Sequence, residues 1–244
     1  MQIYPAIDIR GGRCVRLRQG DFAQETVFGD DPVAVARRWV EQGADRLHLV
    51  DLDGAKQGRP VNSDVIRKIV QSAGVLCQLG GGLRTETDLC EVFGWGIDRA
   101  ILSTRALLDP IWFRSACELF PNRIVLGLDA KHGKVATHGW LEMSERCAVE
   151  LAREAACWPI AGIVYTDISR DGTLEGPNLD AYREMLTAVQ VAVFASGGIT
   201  TLDNIRELAR LGVAGCVIGR SLYEGRLELP AVIACAGSVH RMQE

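Results

Sequence analysis

The stretch VLCQLGGGLRT at residues 75–85 recurs as VAVFASGGITT at residues 191–201, and this repeat is the strongest indication of the fold. In each copy an apolar run meets consecutive glycines and then a threonine that can cap a helix. The same offset of 116 residues relates GIDRAILSTRAL at 96–107 to GVAGCVIGRSLY at 212–223. An offset shared by separate motifs indicates that the chain was built from two similar halves.

Aspartates occupy matching positions in the two halves. The offset of 116 residues pairs Asp51 with Asp167, and the similarity of YPAIDIRGG to VLGLDAKHG places Asp8 opposite Asp129. Each of these carboxylates ends an apolar run, where a charge buried without partners would be costly. We therefore expect Asp8 and Asp129 to lie where partners or a ligand reach them.

Short β-branched runs alternate with amphipathic helical patterns along the whole chain. The runs are continuously apolar, as in RIVLGL, which is typical of parallel strands covered on both faces. The helical patterns include DPVAVARRWVEQG and SERCAVELAREAA, and several begin at a capping Asp, Asn, Ser or Thr. The strand candidates are 2–8, 46–51, 75–79, 98–102, 123–128, 161–166, 191–195 and 214–218.

Eight such units predict a single α/β domain over residues 1–244, a (β/α)8 TIM barrel. An open, doubly wound sheet is the alternative architecture. The repeat favours the barrel, because two duplicated half-barrels, about 1–120 and 121–244, would close one ring. We expect the two halves to superpose.

The composition limits the possible functions. A net charge of −4 argues against nucleic acid or an anionic membrane as the partner, although backbone N–H groups can still bind a small phosphorylated molecule. The eight cysteines form neither a CxxC motif nor a cluster with metal-ligand spacing, so we expect no metal and reduced thiols in a cytoplasmic protein. The start MQIYPAID lacks the pattern of a signal peptide, and no apolar run reaches the roughly 18 residues of a membrane span.

The duplicated glycine turns predict two anion sites at the carboxyl ends of the strands. Active sites of barrels lie at that end, and the loops after strands 7 and 8 commonly bind phosphate. A single Gly-Gly turn is more often only a tight connection, but two matched turns favour a ligand with a phosphate at each end. The predicted sites comprise Gly81, Gly82, Ser103 and Thr104 in the first half, and Gly197, Gly198, Gly219 and Arg220 in the second.

Between these sites, Asp8 and Asp129 end strands 1 and 5. Either one alone could be a helix cap or a salt-bridge partner. A symmetric pair suits a general acid and a general base acting on the middle of the ligand. No dinucleotide motif accompanies the pair, so we expect proton transfer without a cofactor, in an isomerisation or an eliminative ring change.

Together, AIDIRGGRCVRLRQGD, LHLVDLDGA, LGGGLRT, LGLDAKHG followed by HGW, and TDISRDGTLEGPN resemble the ProFAR isomerases of histidine biosynthesis, over roughly residues 2–236. The resemblance implies an Amadori rearrangement of a bis-phosphorylated aminoaldose into an aminoketose. It implies that Asp129 protonates the ribose ring oxygen and that Asp8 removes the proton from C2′. The related cyclase subunit of imidazole glycerol phosphate synthase shares the paired aspartates, but VRL, TDISRDG and HGW resemble the isomerases more.

The resemblance also implies supporting residues. Arg16 would contact the substrate, Trp140 would stack on its imidazole base, and Thr166 would hydrogen-bond near the reacting sugar. Loop packing remains an alternative for Trp140. His48 is more typical of a hydrogen-bonded barrel histidine than of a catalytic one. Arg84 would support the first phosphate, with a solvated surface role as the alternative. Asp171 and Gly172 form a turn after strand 6, in which Asp171 is either a substrate contact or only a turn residue.

One position departs from the resemblance. The isomerases usually have glycine where this chain has Ser103, so either Ser103 adopts that backbone geometry or the first phosphate loop shifts. The sequence leaves phosphoribosylanthranilate open as a second substrate. It also leaves open the cyclase activity and a catalytically inactive barrel that binds a phosphometabolite. We expect a monomer.

Overall fold

A computed structural model describes residues 1–137, 140 and 142–240. In this part of the chain eight parallel strands form a closed barrel. The strands are β1 (Gln2–Arg10), β4 (Arg46–Asp51), β5 (Leu76–Gly80), β6 (Arg99–Leu102), β7 (Ile124–Lys131), β10 (Gly162–Asp167), β11 (Val193–Ser196) and β12 (Gly215–Ile218). They pair in the order β10, β11, β12, β1, β4, β5, β6 and β7, and β7 pairs with β10 to close the ring. The (β/α)8 barrel is confirmed, and each strand lies within three residues of its predicted bounds.

Helices connect successive barrel strands. Their capping residues match the sequence signals: Asp31 caps the first helix, and Thr85 and Thr201 form capping boxes. The helices are α1 (Pro32–Glu41), α2 (Leu52–Gln57), α3 (Ser63–Ala73), α4 (Glu86–Gly94), α5 (Thr104–Leu108), α6 (Pro110–Leu119), α7 (Ala148–Ala155), α8 (Leu179–Ala188), α9 (Leu202–Leu211), α10 (Arg220–Tyr223) and α11 (Leu229–His240).

Two antiparallel extensions, which the sequence analysis did not predict, follow β1 and β7. The first is β2 (Arg13–Arg18) and β3 (Asp21–Gly29), and the second is β8 (Lys134–Thr137) and β9 (Glu142–Cys147). The prediction of a helix from Ser144 was therefore wrong at its start. Pairing with β8 keeps the chain extended through Cys147, and the helix begins at Ala148.

Tight turns explain these extensions. Two-residue turns whose residues both have positive φ match the twist of antiparallel strands. Gly11 and Gly12 join β1 to β2 with φ angles of 55° and 74°, and His132 and Gly133 join β7 to β8 with 52° and 76°. Gln19 and Gly20 join β2 to β3 in the same way, with 50° and 73°. The glycine in each dipeptide was the available sequence signal.

The two halves share local geometry beyond their strands. Asn62 donates to Asp51 and Asn178 donates to Asp167, each through the side-chain amide at 2.7 Å. These two pairs are separated by the offset of 116 residues, as are the two capping boxes. The superposition of residues 1–120 on 121–244 stays a prediction that this matching geometry supports.

Apolar side chains fill both layers of the barrel. The larger cluster lies between strands and helices, and a second cluster fills the barrel interior. The interior cluster consists of Tyr4, Ala6, Ile101, Val125, Val164, Phe194 and Val217. Polar groups therefore meet above this packed interior, at the carboxyl ends of the strands. No helix within the described residues has the length and apolar character needed to cross a bilayer.

Candidate active site

Two cavities open among the loops at the carboxyl ends of the barrel strands. The larger has a volume of about 210 Å³ and contains both candidate catalytic aspartates, while the smaller, of about 30 Å³, lies in the second half. Arg16 and Asp171 line both cavities and therefore lie between them. The other predicted residues divide into Asp8, Gly81, Gly82, Arg84, Ser103, Thr104, Asp129, Trp140 and Thr166 at the larger cavity and Gly172, Gly197, Gly198, Gly219 and Arg220 at the smaller.

Asp8 forms an ion pair with Arg16. Strand pairing brings them together, because Asp8 pairs with Val15 of β2 and Arg16 follows, and Arg16 Nη1 lies 2.7 Å from an Asp8 carboxylate oxygen. Burial raises the pKa of Asp8 to about 6, although the guanidinium opposes this shift and the Asp171 carboxylate adds to it. A carboxylate of this pKa is a stronger base than an exposed aspartate and remains largely ionised at neutral pH.

Asp129 has neutral partners instead. It pairs in register with Thr166 across β7 and β10, and the Trp140 indole and the Thr166 hydroxyl both donate hydrogen bonds to its carboxylate. Burial raises the pKa of Asp129, and these two hydrogen bonds oppose the shift. His138 and Gly139, which precede Trp140 in the HGW motif, lie outside the described residues.

The repeated extensions therefore give the two aspartates different surroundings. Arg16 of β2 and Thr137 of β8 occupy matching positions, since Arg13 pairs with Arg10 and Lys134 pairs with Lys131 in the two turns. The first half thus places a cation beside Asp8, whereas the second half has a threonine at the matching position. This difference separates the electrostatics of two otherwise similar carboxylates.

Both glycine turns need glycine. Gly81 and Gly82 have φ angles of 101° and 81°, and Gly197 and Gly198 have 93° and 77°. A Cβ at Gly81 or Gly197 would lie under 3.0 Å from the carbonyl oxygen of Asp51 or Asp167. The bare turns leave backbone N–H groups available to an anion beside the following helix starts.

Ser103 adopts the backbone conformation of its counterpart in the second half. Its φ and ψ are −115° and −85°, and those of Gly219 are −109° and −102°. Neither φ is positive, so the conformation lies outside the left-handed region that favours glycine, and Ser103 follows the backbone path of Gly219. At Gly219 a Cβ would meet the Arg16 guanidinium, so any other residue there would displace that side chain.

Two predicted phosphate-site arginines have partners within the protein. Arg220 Nη1 donates to the Gly172 carbonyl at 2.6 Å, and its Nε pairs with Glu224. The Arg84 guanidinium lies against the Cα of Gly58, where any side chain would collide with it. Both arginines line their cavities, and Arg220 also links its loop to the turn that contains Gly172.

Several cavity residues were not singled out from the sequence. They include Phe22 of β3, Thr137 of β8 and Ser196 at the end of β11, and the matched position of Gly80 could have indicated Ser196. His48 also lines the larger cavity and is hydrogen-bonded inside the barrel to Gln78. Among the described residues no group of three or more His, Cys, Asp or Glu side chains could hold a metal ion.

Comparison with known proteins identifies the family of this chain. The model of the histidine biosynthesis protein family matches residues 2–228. The chain belongs to the histidine biosynthesis protein family. Within it, a protein of Gloeothece citriformis is 51% identical over 240 residues, covering 97% of this chain and 93% of the relative.

Two further relatives show similar identity and coverage. A protein of Rhodopirellula baltica is 48% identical, with 98% of this chain and 96% of the relative covered. One of Chloroflexus aggregans is 51% identical, with 97% and 98% covered. All three relatives are named 1-(5-phosphoribosyl)-5-((5-phosphoribosylamino)methylideneamino) imidazole-4-carboxamide isomerase.

Proposed function

We propose that this chain is the isomerase for which its relatives are named, and that it converts ProFAR to PRFAR in histidine biosynthesis. The reaction is an Amadori rearrangement, an intramolecular oxidation and reduction of an aldose to a ketose. The observation that carries the proposal is a pair of carboxylates with raised pKa in one cavity, Asp8 buried and Asp129 partly buried, with one glycine turn lining that cavity and the other lining the adjoining one. A substrate with a phosphate at each end would span these turns.

Asp129 is the general acid in this proposal. Its pKa is raised by burial, so it holds a proton at higher pH than an exposed aspartate does, and it can deliver that proton to the ribose ring oxygen. The ring then opens to a Schiff base. Trp140 and Thr166, both hydrogen-bonded to Asp129, orient the carboxyl group.

Asp8 is the general base. The Arg16 guanidinium favours its ionised form, so Asp8 can take the proton from C2′ of the opened sugar. The electron pair of the broken C–H bond moves into the new double bond and reduces the Schiff base to an enolamine. The enolamine then becomes the ketone of the product.

The phosphates are held by the two turns. The N–H groups near Gly81 and Thr104 receive one, and those near Gly197 and Arg220 receive the other. Arg84 and Arg220 supply positive charge at the edges of the sites. The eight free thiols fit a reducing, cytoplasmic location, which stays a prediction together with the monomeric state.

The test is an assay of the purified chain on three substrates. ProFAR should be converted to PRFAR. PRFAR with ammonia tests the cyclase reaction, and phosphoribosylanthranilate tests a second isomerase activity. Turnover of PRFAR with ammonia but not of ProFAR would contradict the proposal, and binding of ProFAR without turnover would indicate an inactive binding barrel.

A further inference from the structure

His48 and Gln78 form a buried polar pair beneath the two aspartates. They are register partners on β4 and β5, with exposed fractions of 8% and 1%, and Gln78 Nε2 lies 2.8 Å from His48 Nδ1. His48 also lines the larger cavity. A buried polar pair that faces a cavity through His48, beside the apolar interior cluster, indicates a role beyond packing.

The pair determines which nitrogen of His48 carries a proton. Burial, with a smaller effect of the Arg16 guanidinium, lowers the pKa of His48 to about 3, so the imidazole is neutral at physiological pH. A neutral ring has one N–H and one acceptor nitrogen. Because Gln78 donates to Nδ1, the proton resides on Nε2, which is the nitrogen left for the cavity.

The opposite amide orientation is less favourable. The Oε1 atom of Gln78 is buried and has no hydrogen-bond partner within the described residues. Exchanging the amide atoms would put the NH2 group, with two donors, where the unpartnered oxygen lies. Unpaired buried N–H groups are rarer in proteins than carbonyl oxygens with unused capacity.

His48 lies close to Asp8, the candidate base. His48 pairs with Ala6 of β1, and Asp8 is the next inward-facing residue toward the cavity mouth. A protonated imidazole here would act on Asp8 as a second cation and weaken it as a base. A neutral imidazole can polarise a substrate oxygen without that effect.

We propose that Gln78 is a positioning residue that holds His48 as the neutral Nε2–H imidazole, and that this N–H donates to the C2′ oxygen of the substrate. The inference rests on the proposed isomerase function. Asp8 removes the proton from C2′ to give the enolamine, in which the C2′ oxygen is still a hydroxyl. When the enolamine becomes the ketone, C1′ gains a proton, the hydroxyl loses one, and the same oxygen becomes the carbonyl oxygen. His48 keeps its own proton throughout and supplies a hydrogen bond.

Nitrogen NMR of the intact chain shows directly which nitrogen of His48 is protonated, and it does not depend on an activity assay. The chain has four histidines, so 15N-histidine labelling gives few signals, and a His48→Gln variant identifies those of His48. We expect an unprotonated Nδ1, a protonated Nε2 and no titration between about pH 5 and 8. A protonated Nδ1, or titration within that range, would overturn the proposal.

Kinetics of a Gln78→Glu variant test the consequence. A carboxylate would accept from Nδ1–H, which reverses the tautomer or charges the ring. We expect kcat to fall about 10-fold or more while KM changes less than about twofold, because the phosphate turns anchor the substrate. Gln190→Glu adds the same charge at an exposed position in the loop after α8 and should leave both constants unchanged.

Two further results complete the test. Gln78→Met removes the donor without adding a charge, so it should also lower kcat. It supplies the kinetic test if the buried carboxylate prevents the Gln78→Glu variant from folding. An unchanged kcat in a Gln78 variant whose His48 tautomer is altered would overturn the proposal. A wild-type chain that fails to turn over ProFAR would contradict the proposed function, and the NMR result would then decide the role of Gln78 by itself.

Discussion

The hydroxyl oxygen of Ser103 occupies the space that a Cβ on Gly127 would need. Ser103 follows β6, and Gly127 lies beside it on β7. The second half has the opposite arrangement, with Gly219 following β12 beside Ala6 of β1. At each phosphate loop only one of the two neighbouring positions carries a side chain, Ser103 at the first loop and Ala6 at the second. The missing side chain at Gly127 explains how a serine fits the first phosphate loop.

A Gly127→Ala substitution should destabilise the protein by overpacking. The new methyl group would collide with the Ser103 hydroxyl and crowd Ile101, so we expect unfolding free energy to fall by about 1–3 kcal/mol. The double variant Gly127→Ala, Ser103→Gly should recover part of that loss. Urea unfolding of both variants measures the coupling.

Gly94→Ala is the control for this pair, because a Cβ there meets no atom within 4 Å. It should not lower the unfolding free energy. Equal losses in the single and double Gly127 variants would show that Ser103 is not the obstacle.

The ionisation of Asp8 should appear in the pH dependence of catalysis. With a pKa of about 6, Asp8 loses its basic form below that pH, and kcat/KM should fall about tenfold per pH unit. Arg16→Met removes the guanidinium that lowers this pKa, so the acidic limb should move to higher pH. A pH profile of kcat/KM for both proteins gives the shift.

Arg206→Met removes an arginine that pairs with Asp203 on the surface of α9 and should leave the acidic limb unchanged. An acidic limb that stays in place in Arg16→Met would mean that Asp8 is not the group that titrates.

Proton exchange can separate the roles of the two aspartates. Asp8→Asn and Asp129→Asn should each lower turnover of ProFAR at least about 10²- to 10⁴-fold, while binding survives. On a substrate analogue that is already ring-opened, Asp129→Asn should still exchange the C2′ proton with solvent, because Asp8 remains. Asp8→Asn should not, and exchange at the wild-type rate in that variant would refute Asp8 as the base.

The raised pKa of Asp129 should reduce stability as the pH rises. The folded protein holds the Asp129 proton more tightly than the unfolded chain, in which the pKa is about 3.9. The stability that this proton contributes is therefore lost as the pH rises above that value. The amide of an Asp129→Asn variant cannot ionise, so the variant avoids the loss. Thermal unfolding should show that Asp129→Asn gains stability relative to wild type at pH 8 but not at pH 3. A gain that is equal at both pH values would exclude ionisation as the cause.

The two glycine turns should both bind sulfate. Crystals soaked in sulfate should show density beside Gly81 and Gly82 and beside Gly197 and Gly198, because each turn presents bare N–H groups next to a helix start. Gly81→Ala should abolish density at the first site only, since its Cβ would collide with the Asp51 carbonyl. Density at one turn alone in the wild-type crystal would contradict a substrate with a phosphate at each end.

Much of the site could be predicted because it follows from position along the strands. Parallel strands bring their carboxyl ends to one face, so the matched offsets placed both aspartates and both turns at one mouth before any distance was known. The extensions β2–β3 and β8–β9 were not predicted, because their pairing depends on tight turns after β1 and β7 rather than on a hydrophobic period. For the same reason the partner of Asp8 could not be predicted, since Arg16 reaches it only through that pairing.

The sequence by itself determined the barrel, its two similar halves and the matching positions of Asp8 and Asp129. Hydrophobic periodicity, helix caps and repeated motifs can be recognised in the chain without knowledge of its tertiary contacts. Only the tertiary structure decided how the two aspartates differ. Closure of the ring and the two extensions put the Arg16 guanidinium beside Asp8, an indole and a hydroxyl beside Asp129, and Gln78 against His48. These contacts join residues far apart in the chain, and burial together with the charge and hydrogen bonds of such neighbours sets the pKa of each group.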